Sequence, residues 1–197
     1  MEPAEHLIKA VSAQRGQTEP PLIVALDGRS GAGKSTLAAA VAPTLSAVVI
    51  EGDDFYAGGS AAFWDERSAE DKVANAMDWR RQHQLLTELR AGDGASWFPF
   101  DWEAFDGRLA ETPLHCAPAD VVILEGAYSA RPELAKLLDL RILLDTPEEL
   151  RSSRLRQREG DDYSDDWERR WREAEDHYFG LVMPRSSFDL VLGSERH

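Results

Sequence analysis

Cysteine is almost absent from this chain: Cys116 stands alone among 197 residues. No intrachain disulfide can form, and a reducing cytoplasmic setting fits that usage. Long apolar runs are missing as well. Nothing approaches the length of a membrane span, and residues 1–10 set acids inside an amphipathic pattern, which argues against a signal peptide or an anchor. Basic residues are outnumbered by acidic ones, 22 to 36, for a formal net charge of −14. Such an excess of negative charge argues against duplex nucleic acid or an anionic membrane as a partner. Repeats and low-complexity tracts are absent too. A length of 197 residues supports one sizeable core and falls short of two comfortable domains. A single domain over residues 1–197 is therefore expected. His83, His115 and His177 show no metal-ligand spacing with one another.

What the chain does have is a glycine-rich run, Gly28-Arg29-Ser30-Gly31-Ala32-Gly33-Lys34-Ser35-Thr36, which fits G-x-x-x-x-G-K-[ST]. Residues 21–26 before it are apolar and β-branched, as in a buried parallel strand. Residues 35–45 after it are rich in Ala and Leu, as in a helix. Strand, loop and helix are the context in which backbone N–H groups wrap phosphates at a helix N-terminus. A bound nucleoside triphosphate is expected on Gly28, Ser30, Gly31, Ala32, Gly33, Lys34, Ser35 and Thr36. Lys34 would reach the β- and γ-phosphates, and the Ser35 hydroxyl a Mg2+ ion.

Around this loop the pattern alternates. Residues 3–15 predict an amphipathic helix with Leu7, Ile8 and Val11 on one face, stopped near Gly16. Residues 47–50 predict a second strand, ending in Glu51-Gly52-Asp53-Asp54-Phe55-Tyr56, with adjacent carboxylates where open α/β sheets bind ligands. Residues 58–71 are polar and small, which predicts a mobile loop with Trp64 as an isolated aromatic. Residues 78–90 predict a helix with Asp78 as N-cap and Leu85, Leu86 and Leu89 as its stripe. Residues 97–108 crowd aromatics with acids. Strands are expected at 121–124, ending in Glu125, then at 140–144, and last at 188–192. Between the latter two lie an arginine-rich helix from Pro147 and another from Ser164 or Asp165 to about Phe179. The class is α/β, with a central parallel sheet of about five strands flanked by helices.

In their order, four landmarks resemble the uridine kinase and nicotinamide riboside kinase-like branch of the P-loop small-molecule kinases: residues 28–36, Asp53 to Tyr56, residues 122–126, and the arginines from Arg151 to Arg158. The resemblance covers residues 22–192 and implies the P-loop NTPase fold with a helical lid near 148–166. It implies ATP and Mg2+ as cofactors and a small-molecule hydroxyl as acceptor. Asp53 maps onto the acid that meets that hydroxyl, with Asp54 the alternative beside it. A carboxylate there can orient the hydroxyl and accept its proton. Glu125 becomes an outer-shell Mg2+ or water ligand. Arg154 and Arg158, four residues apart on one helical face, become clamps on the transferring phosphoryl group, with Lys34 and Asp53 completing the catalytic set. The bland reading of that helix is a solvated charged face.

The acceptor region departs from this pattern. Phe100-Asp101-Trp102 matches an aromatic-Asp-aromatic stretch and Arg108 a following arginine, but Phe105 stands where a histidine would read a pyrimidine edge. A phenyl ring cannot hydrogen-bond that edge. With Tyr56, these residues form the expected acceptor site, and the interleaved Asp101, Glu103 and Asp106 favour an uncharged or cationic hydroxyl compound over uridine or cytidine. A nucleoside-monophosphate kinase, whose lid arginines would hold a second phosphate, is one alternative. A nucleotide-dependent switch without acceptor is another, weakened by the lack of an Asn-Lys-x-Asp guanine motif. A monomer or homodimer is expected.

Overall fold

The computed structural model describes residues 2–160 and 164–193. Five parallel strands form one sheet in the order β2-β5-β1-β6-β7. They are β1 (Leu22–Asp27), β2 (Ala47–Glu51), β5 (Val121–Glu125), β6 (Leu140–Asp145) and β7 (Leu190–Gly193). β1 is central: Leu22 to Leu26 pair with Val121 to Glu125 on one side, and Val24 to Asp27 with Leu140 to Leu143 on the other. All six of its residues are buried, as a strand covered on both faces requires. Each buried aliphatic side chain here is worth roughly 1.5–3 kcal/mol.

The faces divide by alternation along β1. Leu22, Val24 and Leu26 pack with Leu7 and Val11 of α1 (Pro3–Arg15) and with Ala38, Val41 and Leu45 of α2 (Lys34–Leu45). Ile23 faces Leu85, Leu86 and Leu89 of α5 (Trp79–Arg90). Ala25 joins a third cluster with Ala174 of α7 (Asp165–His177) and Tyr178 just beyond it. Asp27, Glu51, Glu125 and Asp145 end four strands in acids, with Glu51 in register with Glu125. This carboxyl edge is where α/β sheets hold ligands.

The expected loop at 58–71 is instead two short helices, α3 (Ala61–Asp65) and α4 (Ala69–Asn75). Ser60 and Ser68 cap them, accepting from the Phe63 and Asp71 N–H groups at 3.1 and 3.0 Å. Trp64 is accordingly no loop aromatic but only 1% exposed, its indole donating to the Gly58 carbonyl. The segment is bolted to α7 by a two-pronged Arg170–Asp65 pair at 2.6 and 3.0 Å and by Lys72–Glu173. Between α5 and β5, β3 (Ala95–Trp97) and β4 (Leu114–Cys116) form a separate antiparallel pair. Beyond β6 lies α6 (Glu148–Glu159), then α7. The expected lid at 148–166 thus spans α6 and the start of α7, and its residues 161–163 lie outside the described ones. Among the described residues no helix is long and apolar enough to cross a membrane.

Candidate active site

The glycine-rich loop leaves β1 at Asp27 and enters α2 at Lys34. Its path is tight. A Cβ on Gly31, whose φ is +74°, would meet the Arg151 carbonyl oxygen at 2.6 Å, and one on Gly28 would meet that of Leu144 at the same distance. Backbone is not a yielding neighbour, so both positions demand glycine. Asp27 fastens the entry: its buried carboxylate accepts from the N–H groups of Gly28, Tyr128 and Ala130 and from the Tyr178 hydroxyl, at 2.7, 3.0, 2.9 and 2.8 Å. Burial lifts its pKa to about 6, and the Ala130, Tyr178 and Gly28 donors, with Lys34, hold it from rising further. Lys34 does not hang free in the cleft. Its ammonium donates to the Gly28 and Arg29 carbonyls, two neutral acceptors, at 2.8 and 3.2 Å.

A cleft of about 580 Å³ opens over the loop. Lys34, Ser35 and Thr36 form its floor, Asp53 and Glu125 one side, and Arg154 and Arg158 the other. Asp53 lies in the single 3-10 turn that follows β2 and is exposed; its neighbour Asp54 is half-buried and accepts from the Trp97 indole at 2.8 Å. The two carboxylates therefore differ in availability. Burial raises Asp54, opposed by that indole. Glu125 is buried at the end of β5, and burial raises its pKa while Lys34 and the Ser35 hydroxyl pull it back. No group of three or more metal-binding side chains occurs among the described residues. One hydroxyl and one carboxylate beside a phosphate site are nonetheless the hard oxygen donors that Mg2+ takes, its other positions being filled by phosphate and water.

The arginines of α6 split into two kinds. Arg154 donates to the Ala32 carbonyl at 2.8 Å, at the lip of the cleft, and Arg158 lines the cleft further along. Arg151, one turn earlier, is buried and donates to the Ser30 and Thr146 carbonyls, both at 3.2 Å. Its role toward the loop has no counterpart in the sequence pattern, nor does that of Glu175, which accepts from Ser30 at 2.7 Å.

The aromatics expected around an acceptor do converge, but on one another. Tyr56 is covered face-on by Trp102, with centroids 5.4 Å apart and planes 12° apart, and by Phe105 at 6.2 Å. Phe100, itself buried, meets its edge at 5.1 Å. α7 adds Trp171, 6.0 Å from Tyr56, and Trp167, 6.1 Å from Phe105. Sequence reasoning missed these two, although their spacing of four marks one helix face. Trp102 and Phe105 remain 47% and 41% exposed, an outer leaf over a buried inner one. The buried Tyr56 hydroxyl has no hydrogen-bond partner among the described residues, the Trp64 indole being spent on Gly58, and burial pushes its pKa up to about 12. Asp101 caps its own turn through the Glu103 and Ala104 N–H groups. Arg108 is drawn outward, 66% exposed and forked onto Asp106 at 2.5 to 3.0 Å.

Comparison with known proteins gives one consistent group. The sequence model of the Phosphoribulokinase / Uridine kinase family matches residues 23–169. A uridine kinase from Limosilactobacillus reuteri is 28% identical over 148 residues, covering 73% of this chain and 67% of that one. Among solved structures, a possible uridine kinase from Bacillus stearothermophilus superposes with a TM-score of 0.73 at 21% identity, over 96% and 97% of the two chains. D-glycerate 3-kinase from Cryptococcus neoformans does so with 0.69 at 12% identity, over 96% and 95%. Both carry the same P-loop kinase architecture, and their names differ in the acceptor.

Proposed function

This chain belongs to the Phosphoribulokinase / Uridine kinase family, and from that premise we propose that it moves the γ-phosphoryl group of ATP to a hydroxyl of an uncharged or cationic small molecule, with Asp53 as general base. It is an ATP-dependent kinase of a small-molecule hydroxyl. The observation that carries the residue assignment is the division between the paired acids. Asp53 stands open on the cleft beside Lys34, Ser35 and Glu125, whereas Asp54 is committed to Trp97.

In this reading the acceptor hydroxyl donates its hydrogen bond to Asp53, which takes the proton as the oxygen forms its bond to the γ-phosphorus. The bond from that phosphorus to the β,γ-bridging oxygen breaks, and ADP leaves. Lys34 shifts from the Gly28 and Arg29 carbonyls to the phosphate oxygens. Mg2+, held by Ser35 and Glu125, would neutralise phosphate charge. Because transfer through a loose transition state asks for positioning and charge stabilisation more than covalent work, Arg154 and Arg158 supply the clamp. Arg154→Ala or Arg158→Ala is expected to lower kcat about a hundredfold, the scale of one lost charge-stabilising donor, with the KM for ATP changed less than about threefold. Steady-state kinetics checks the split; equal, small effects on both would return α6 to a solvated charged face.

For the acceptor, Phe105 lies on Tyr56, in the aromatic cluster, and the one arginine of that loop points outward in the grip of Asp106. Such surroundings favour stacking and cation–π contact over anion binding. ADP release measured across nucleosides, cationic ribosides, sugars and amino-bearing natural products is expected to rise with an uncharged or cationic hydroxyl compound and to stay low with uridine and cytidine. Uridine turnover above about 10⁴ M⁻¹s⁻¹ in kcat/KM overturns the acceptor class. No rise with any hydroxyl compound removes the phosphotransfer reading.

A further inference from the structure

All three polar groups of one loop residue, Ser30, are taken by the last two long helices. Its N–H and its hydroxyl donate to the same oxygen of Glu175, each at 2.7 Å, and its carbonyl accepts from Arg151 at 3.2 Å. Position 30 is one of the variable places in G-x-x-x-x-G-K-[ST], so the motif itself requires none of this. We propose that Glu175 is a positioning residue for ATP: from α7 it holds the crest of the phosphate loop in its phosphate-receiving shape. This rests on the loop's being the ATP site, as in the function proposed above.

Three features support the assignment. First, Glu175 is only 3% exposed, and a carboxylate taken from water is stable only when its oxygens are satisfied. Two donors of a single residue satisfy one oxygen with charge-assisted bonds, and two guanidiniums stand 3.9 Å from the other. Second, the charges around it balance. Arg29 and Arg151 each approach Glu175 at 3.9 Å, and Arg29 also pairs with Asp176 at 2.6 Å. Two guanidiniums facing two carboxylates add little net field at the phosphates, so what Glu175 contributes there is shape. Third, a displacement of Ser30 cannot remain local. The next residue, Gly31, lies flush against the Arg151 backbone, and the one after it, Ala32, accepts from both Arg154 and Thr146. Ser30, Gly31 and Ala32 are therefore gripped in succession by α7, by the α6 backbone and by an α6 side chain. Loosening the first frees the loop from its template.

The test is calorimetric titration of a non-hydrolysable ATP analogue with Mg2+, which needs no acceptor. It is done at a temperature where thermal unfolding shows each variant folded. Glu175→Ala is expected to weaken binding about tenfold, because both Ser30 donors lose their acceptor and the crest of the loop loses its template. Glu175→Gln keeps an oxygen for both Ser30 donors and is expected to stay within about threefold of wild type. Ser30→Ala should cost about threefold alone and nothing further on top of Glu175→Ala, because the two act through one contact. Binding by folded Glu175→Ala within twofold of wild type, additive single and double variants, or failure of glutamine to rescue would each overturn the proposal. If Glu175→Ala does not fold, unchanged affinity in Ser30→Ala overturns it. A wild-type protein that binds no ATP analogue would instead remove the ATP-site reading on which the proposal rests.

Discussion

Lys34→Ala is expected to lower phosphoryl transfer on the order of a thousandfold or more, about 4 kcal/mol in the barrier, in a protein that still folds. The ammonium lies in the loop itself, and its two present acceptors, the Gly28 and Arg29 carbonyls, are neutral. As negative charge shifts onto the β,γ-bridging oxygen, alanine leaves it unopposed from below. The fold should survive the change: the half-buried Arg29 carbonyl can turn to water, and the buried Gly28 carbonyl alone loses its donor, at a cost of about 1–3 kcal/mol. Circular dichroism and thermal unfolding, read beside ATP turnover, check the pair of statements. Turnover within tenfold of wild type in folded Lys34→Ala would detach the loop from catalysis.

The second large effect is expected at Asp53. Asparagine there preserves volume and keeps an acceptor oxygen but cannot take up a proton, so phosphotransfer should fall on the order of a hundredfold or more. Affinity for ATP should stay within about threefold, since in the proposed reaction the acid meets the acceptor hydroxyl rather than the nucleotide. Asp54→Asn is the internal control. Its side-chain oxygen can still accept from Trp97, so the turn keeps its shape and the rate should change by only a few fold. Reversed magnitudes would make Asp54 the base. If neither substitution slows transfer, no carboxylate of this turn is the base.

Residues differ in how far they could be placed before the structure. The loop at 28–36 was legible because wrapping a phosphate imposes glycines, a lysine and a hydroxyl within a few residues. The parallel strands were legible because covering both faces of a sheet imposes apolar runs, as in 22–26 and 121–124. The region 58–71 was not. Ala61 and Ala62 give no hydrophobic period, and α3 and α4 are held by their docking on α7 rather than by a stripe of their own. Local chemistry did mark one boundary: Ser68, three residues ahead of Asp71, accepts from the Asp71 N–H and donates its hydroxyl to the Asp71 carboxylate. The aromatics of 97–108 could be named from their crowding, whereas Trp167 and Trp171 went unnoticed inside a charged helix. Asp27 and Glu175 carried no local pattern at all. Each matters because of a partner more than a hundred residues away, a relation that spacing along one chain does not encode.

That distance has a consequence for the order in which the protein comes into being. Ser30 waits for Glu175 across 145 residues, and Asp27 for the Tyr178 hydroxyl across 151. A chain emerging from the ribosome at about 5–20 residues per second displays its finished glycine-rich segment well before either partner has been synthesised. During that interval the loop has neither its anchor nor its brace, and closing so long a span is entropically slow. On the proposed role of Glu175, nucleotide capture waits until residues 175–178 have been made, and a chain that stops short of them carries the binding motif without the geometry to use it.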